Sequence, residues 1–152
     1  MLAESMRPFV QIATVCQSPL QEANGYLSLI RIMDRLVVPG GTDEMPPTPL
    51  HNLCIVVILK SGEMRGNYKW KIVTETPSHK QLPAVELNAL FEGDERGIAF
   101  VSPLLVVAEE EGLYWFDVFL TPDVLLTRIP LRVIYQKIQP MSGNPFQPPQ
   151  HD

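Results

Sequence analysis

Seven stretches of the chain are rich in Val, Ile, Leu and aromatic residues. They run from Phe9 to Cys16, Tyr26 to Val38, Leu53 to Lys60, Tyr68 to Glu75, Ile98 to Ala108, Leu113 to Leu120 and Val124 to Tyr135. Gly, Pro, Asn or Asp bounds each one, so they read as short strands separated by turns. Tyr68-Lys69-Trp70-Lys71-Ile72 alternates apolar and basic residues, which predicts a half-buried strand with Tyr68 and Trp70 in the core. Leu53 to Leu59 does not alternate. It is apolar on both faces, so both faces need cover.

Residues 83–92 fit two readings. Pro83 in a first turn, good helix formers and a Gly93 stop suit a helix. Val85, Leu87, Ala89 and Phe91 on one side suit a strand, and the surrounding strands favour that reading.

The last two stretches align as a hairpin around Thr121-Pro122-Asp123-Val124. That register sets Phe116 opposite Ile129, Tyr114 opposite Leu131 and Asp117 opposite Arg128. Tyr114, Phe116, Val118, Ile129, Leu131 and Val133 then share the core face. The other face carries Trp115, Phe119, Leu126, Pro130 and Ile134 beside the Asp117–Arg128 pair. That face is too apolar for water alone, so it is expected to be covered by chain or by a partner. An outward Trp beside Phe and Pro has the composition of a protein-contact hot spot.

The expected class is therefore all-β. The expected architecture is a single antiparallel β-sandwich of about eight strands, with immunoglobulin-like or related Greek-key topology. Residues 1–138 form the domain and residues 139–152 a Pro-rich flexible tail. Proline supports this reading. Fifteen in 152 residues is about 10%, twice the usual ~5%. Four prolines fall between residues 39 and 49 and four in the tail.

Charge narrows the partners. Twelve basic and 17 acidic side chains give a net charge of −5, with no basic footprint for nucleic acid. The N-terminus lacks the basic start and apolar run of a signal peptide, and no apolar run reaches the ~20 residues of a membrane helix. A cytoplasmic protein without nucleic-acid or membrane partners is expected. Cys16 and Cys54 are expected to be reduced thiols, and could meet only if their strands lie side by side.

Four segments together resemble a family of small bacterial proteins known only as a domain of unknown function. They are Gly25-Tyr-Leu-Ser-Leu-Ile-Arg-Ile-Met-Asp-Arg35, Leu90-Phe-Glu-Gly-Asp-Glu-Arg-Gly97, Glu111-Gly-Leu-Tyr-Trp-Phe-Asp-Val118 and Thr127-Arg-Ile-Pro-Leu-Arg-Val133. The resemblance covers residues 7 to 137. It implies a bacterial source and an intracellular β-sandwich, and it carries no activity and no site. Glu111-Gly112-Leu113-Tyr114 is also similar to the start of a late strand in immunoglobulin-like sandwiches, where a Tyr bonds back to the backbone. The immunoglobulin Cys and Trp pattern is absent.

No catalytic constellation stands out. His51 lies three residues before Cys54, but strand parity points 51 and 54 to opposite faces. No P-loop, G-x-G-x-x-G or G-x-S-x-G occurs, nor a zinc-ligand spacing. Asp43-Glu44, Glu92 to Glu95 and Glu109 to Glu111 are acidic spots that read first as solvated charge and second as loop sites for an ion or small ligand. Arg31 and Arg35 share a strand face by parity, as surface ion pairs or an anion site.

The leading expectation is a non-catalytic interaction or assembly module, most simply a homodimer, using Trp115, Phe119, Leu126, Pro130 and Ile134. The alternatives are a loop-mediated ion- or small-ligand-binding accessory protein and a particle or phage structural protein. No catalytic residue, metal or cofactor is assigned.

Overall fold

A computed structural model of the protein describes residues 7–139. Those residues form nine strands and no helix, so no helix is long and apolar enough to cross a membrane. The strands are β1 (Phe9–Gln21), β2 (Leu27–Met33), β3 (Arg35–Gly40), β4 (Thr48–Pro49), β5 (Cys54–Glu75), β6 (Val85–Pro103), β7 (Val107–Ala108), β8 (Gly112–Leu120) and β9 (Val124–Lys137). The expected all-β class holds. The expected tail from residue 140 onward lies outside the described residues.

Seven strands join in one sheet, in the order β2-β1-β5-β8-β9-β3 with β6 on β5, and β4 and β7 form a small second sheet. The pairing is mainly antiparallel, but β3 runs parallel to β9. That parallel pair corrects the expectation of a purely antiparallel fold. Its cause is Asp34. Tyr26 to Val38 was expected as one strand, but the chain breaks there. β2 pairs with β1, while β3 crosses to the far edge and pairs with β9.

β5 organises the rest. One of its edges pairs with β1 over Cys54–Lys60 and with β8 over Trp70–Glu75. Its other edge pairs with β6 along nearly its whole length. A straight 22-residue strand would span about 70 Å. Yet Ile55 and Ile72, from opposite halves, line the same cavity. The β5–β6 ribbon must fold back between them. The ladder slips there, between Lys60 and Gly62 and again between Gly62 and Arg65, and bulges of this kind bend a strand.

Two glycines permit the bend. Gly62 sits at φ +59°, a left-handed conformation that side chains resist. At Gly97 a Cβ would lie 1.8 Å from the Leu59 carbonyl oxygen, so only glycine allows the two backbones to approach. Two side chains then lock the corner. The buried Ser61 hydroxyl donates to the Arg96 carbonyl at 2.6 Å, and the Arg65 guanidinium donates to the Glu92 carbonyl at 2.7 Å.

Folding back turns the inner faces of both halves toward one core. Val15, Val57 and Leu59 from one half join Trp70, Phe91, Tyr114, Phe116, Val118, Ile129, Leu131 and Val133 from the other. Each such large side chain contributes about 1.5–3 kcal/mol on burial. Residues 83–92 lie largely in β6, as the strand reading expected, with Ala89 and Phe91 buried and Leu87 packed against the core, while Val85, expected on the same side, is exposed. Among buried side-chain polar atoms of the described residues, only the Trp70 indole nitrogen has no hydrogen-bond partner, and its ring meets Phe100 edge-on at 5.4 Å.

Candidate functional site

The hairpin register is the one expected: Phe116 pairs with Ile129, Tyr114 with Leu131 and Asp117 with Arg128. Trp115, Phe119 and Ile134 are half-buried and Pro130 is exposed. Leu126 is corrected. A bulge between Val118 and Phe119 sets Leu125 opposite Phe119, and Leu126 packs against the core instead.

The Trp115 face is also not bare. The Arg128 guanidinium lies 4.3 Å from the Trp115 ring centroid, and the Lys71 ammonium lies 5.5 Å over Phe119. Arg128 is held in place by Asp117 and Glu75, each at 2.7 Å. Strand pairing explains the cluster, because Glu75 is opposite Trp115 and Asp117 is opposite Arg128. A cation over an aromatic ring contributes about 0.5–1 kcal/mol at an exposed site. The chain's own cations thus supply part of the cover that the sequence called for.

The opposite half of the ribbon presents a different outer surface. By strand parity Cys16, Cys54, Val56, Ile58, Val101 and Ile32 share the face opposite Val15, Ile55 and Val57; Cys16 and Val56 are fully buried there, and none of the six is charged. Ile32 is 66% exposed and Val101 40%.

The remaining candidates scatter. His51 stands exposed in a turn ahead of β5, apart from any strand parity with Cys54. Arg31 and Arg35 fall on different strands, so they do not share a face. Arg31 donates to Gln17, and Arg35 pairs with Asp34. The acidic spots are occupied separately. Glu92 pairs with Arg96 at 3.3 Å, Glu110 accepts from Ser78, and Glu111 accepts the Tyr135 N–H at 2.6 Å. Among the described residues no three His, Cys, Asp or Glu side chains come together as metal ligands.

What the fold does assemble is a cavity of about 650 Å³, between the two halves of the ribbon. Its walls come from three places. Ile55, Ile72, Phe100, Tyr114 and Phe116 project from the strands. Leu104 to Val107 form a second wall, and the turn from Thr76 to Pro83 a third. The small β4–β7 sheet fixes the second wall, aided by the Leu50 N–H on the Val106 carbonyl and the Leu104 N–H on the Leu53 carbonyl, both 2.9 Å. Thr74 and Ser102 add hydroxyl-bearing side chains to the lining, and Thr76, Ser78, Lys80, Glu109 and Glu110 add polar ones from the surrounding turns.

Glu110 ties two of these walls together. Its carboxylate accepts the Ser78 N–H at 2.9 Å and the Ser78 hydroxyl at 2.8 Å. Those bonds, the backbone one first, lower its pKa. The clamp therefore stabilises the fold above the ordinary carboxylate pKa and is lost as pH falls through the lowered value. The Glu110 carbonyl in turn accepts the Tyr114 hydroxyl at 2.7 Å, the backward bond expected of that Tyr. Burial pushes the Tyr114 pKa up.

Of the ligand sites that sequence reasoning offered, only the Glu109 to Glu111 loop borders this cavity. Thr74, Phe100, Ser102 and Leu104 carry no local signal, because the cavity brings together residues some fifty positions apart. No family model matches the chain, and no curated protein proves similar to it.

Tyr114→Phe tests this clamp. It leaves the part-buried Glu110 carbonyl without its donor, so stability should fall by about 0.5–1.5 kcal/mol in urea unfolding. A raised tyrosine pKa also means stability that is full below the unfolded value, near 10, and lost as pH rises through the folded one. The wild type should therefore weaken at alkaline pH more steeply than Tyr114→Phe. An unchanged urea midpoint would show that the bond does not hold the wall.

Proposed function

We propose that the protein is a non-catalytic binding module that takes one small, mostly apolar molecule into the cavity between the two halves of the β5–β6 ribbon. One observation carries this reading. A cavity of about 650 Å³ combines an aliphatic and aromatic lining with a few hydroxyl and charged groups. Small-molecule sites usually measure about 300–1,000 Å³ and have this composition. The ligand's apolar body lies against Ile55, Ile72, Phe100 and Phe116, and its polar end meets Thr76, Ser78, Lys80 or Glu109. The two ladders on β5 and the Tyr114–Glu110 bond support reading the scaffold as a β-sandwich of immunoglobulin-like character.

The test uses the neutral fluorescent probe N-phenyl-1-naphthylamine. Saturable binding of one probe per chain is expected, with blue-shifted emission. Ser102 lines the cavity opposite Ile55, and Ser102→Phe fills that space. It should weaken the probe by about tenfold or more, equivalent to about 1.4 kcal/mol, with the fold retained. Equal binding by a folded Ser102→Phe protein would overturn the reading.

A second reading keeps the assembly module but moves its surface. The accessible part of the uncharged strip, exposed Ile32 and Val101 with half-buried Cys54 and Ile58, suits the same strip on a second copy of the chain, since a two-fold axis pairs a patch with itself. Trp115 fits this role less well because Arg128 covers it. Sedimentation velocity should find a dimer that Ile32→Glu dissociates and Trp115→Glu leaves intact. A wild-type monomer at tens of micromolar would remove the reading.

A further inference from the structure

Cys16 and Cys54 are direct cross-strand partners in the β1–β5 ladder. They occupy one row across four strands, Ile32–Cys16–Cys54–Pro103, on the outer side of the sheet. Directly opposed residues in an antiparallel pair have Cα atoms about 4.5–5.5 Å apart with side chains on one face. A disulfide requires about 4.4–6.8 Å. Both thiols are free in this structure, Cys16 fully buried and Cys54 partly exposed.

We infer that Cys16 and Cys54 form a reversible dithiol–disulfide pair that exchanges with low-molecular-weight disulfides such as oxidised glutathione. The unequal exposure sets the order of events. The Cys54 thiolate attacks a glutathione sulfur, forming a mixed disulfide and releasing one glutathione. The Cys16 thiol then loses its proton to solvent and attacks the Cys54 sulfur. The protein disulfide forms as the second glutathione leaves. Two electrons and two protons pass from the protein to one oxidised glutathione, which becomes two reduced molecules.

The neighbouring chemistry agrees with this order. Burial, and secondarily the proximity of Cys54, raises the Cys16 pKa, so Cys16 is a poor first nucleophile. Capping Cys54 as a mixed disulfide removes the second of these causes just when Cys16 must act. Cys54 is partly exposed, so a thiol can reach its sulfur and reduce the bond again. In a reducing compartment the pair rests as the dithiol.

The test treats the reduced full-length protein with oxidised glutathione and follows its mass under denaturing, non-reducing conditions. The expected product is a monomer lighter by two hydrogen atoms, restored by dithiothreitol. Cys16→Ala should stop at a stable glutathione adduct on Cys54. Cys54→Ala should react about tenfold more slowly or less, because its remaining thiol is buried. Circular dichroism confirms that each variant is folded. A wild type that stops at the mixed disulfide, or that links two chains instead, would overturn the inference. So would a folded Cys54→Ala protein that reacts as fast as Cys16→Ala.

Discussion

The fold depends on one close approach between backbones, at the point where the β5–β6 ribbon turns back on itself. Gly97 meets the Leu59 carbonyl at a distance that no side chain would allow. Beside it the ladder slips twice, and Ser61 and Arg65 tie the two strands together across the slip. Without this corner the two halves of β5 could not share a core. β1 and β8 pair with different halves of the same strand edge, so the corner also decides where they lie.

The cavity is a consequence of the same corner. It lies between the halves of the ribbon, and strands alone do not close it. The β4–β7 pair and the Glu110 clamp hold the remaining walls. This leaves the two outer surfaces with different characters. On the β8–β9 side, acidic partners draw Arg128 over Trp115, while Lys71 lies over Phe119. On the β1–β2 side the row around the two cysteines, Ile32–Cys16–Cys54–Pro103, is apolar.

Much of this was legible along the chain. The hairpin register followed from period-two alternation and one turn, because both are local. Leu53 to Leu59 read correctly as apolar on both faces, and Cys54, Val56 and Ile58 are the outward half of that run. Other features were hidden because their causes are not local. Gly62 and Gly97 look like turn punctuation, yet they sit inside long strands and let them bend. Asp34 carries no breaker signal, but the chain changes edges there to make the parallel β3–β9 pair. The bulge that turns Leu126 inward depends on the partner strand, so parity alone misplaced it. Cavity residues such as Ile55, Ile72 and Ser102 meet only after the ribbon has folded back.

Gly97→Ala tests the central claim most directly, with Gly41→Ala as control because a Cβ there meets nothing within 4 Å. Urea unfolding and probe binding would be measured on both variants. The account predicts that Gly97→Ala loses about 2–4 kcal/mol of stability and its probe affinity, while Gly41→Ala keeps both. A Gly97→Ala protein as stable as the wild type, with the probe still bound, would contradict it.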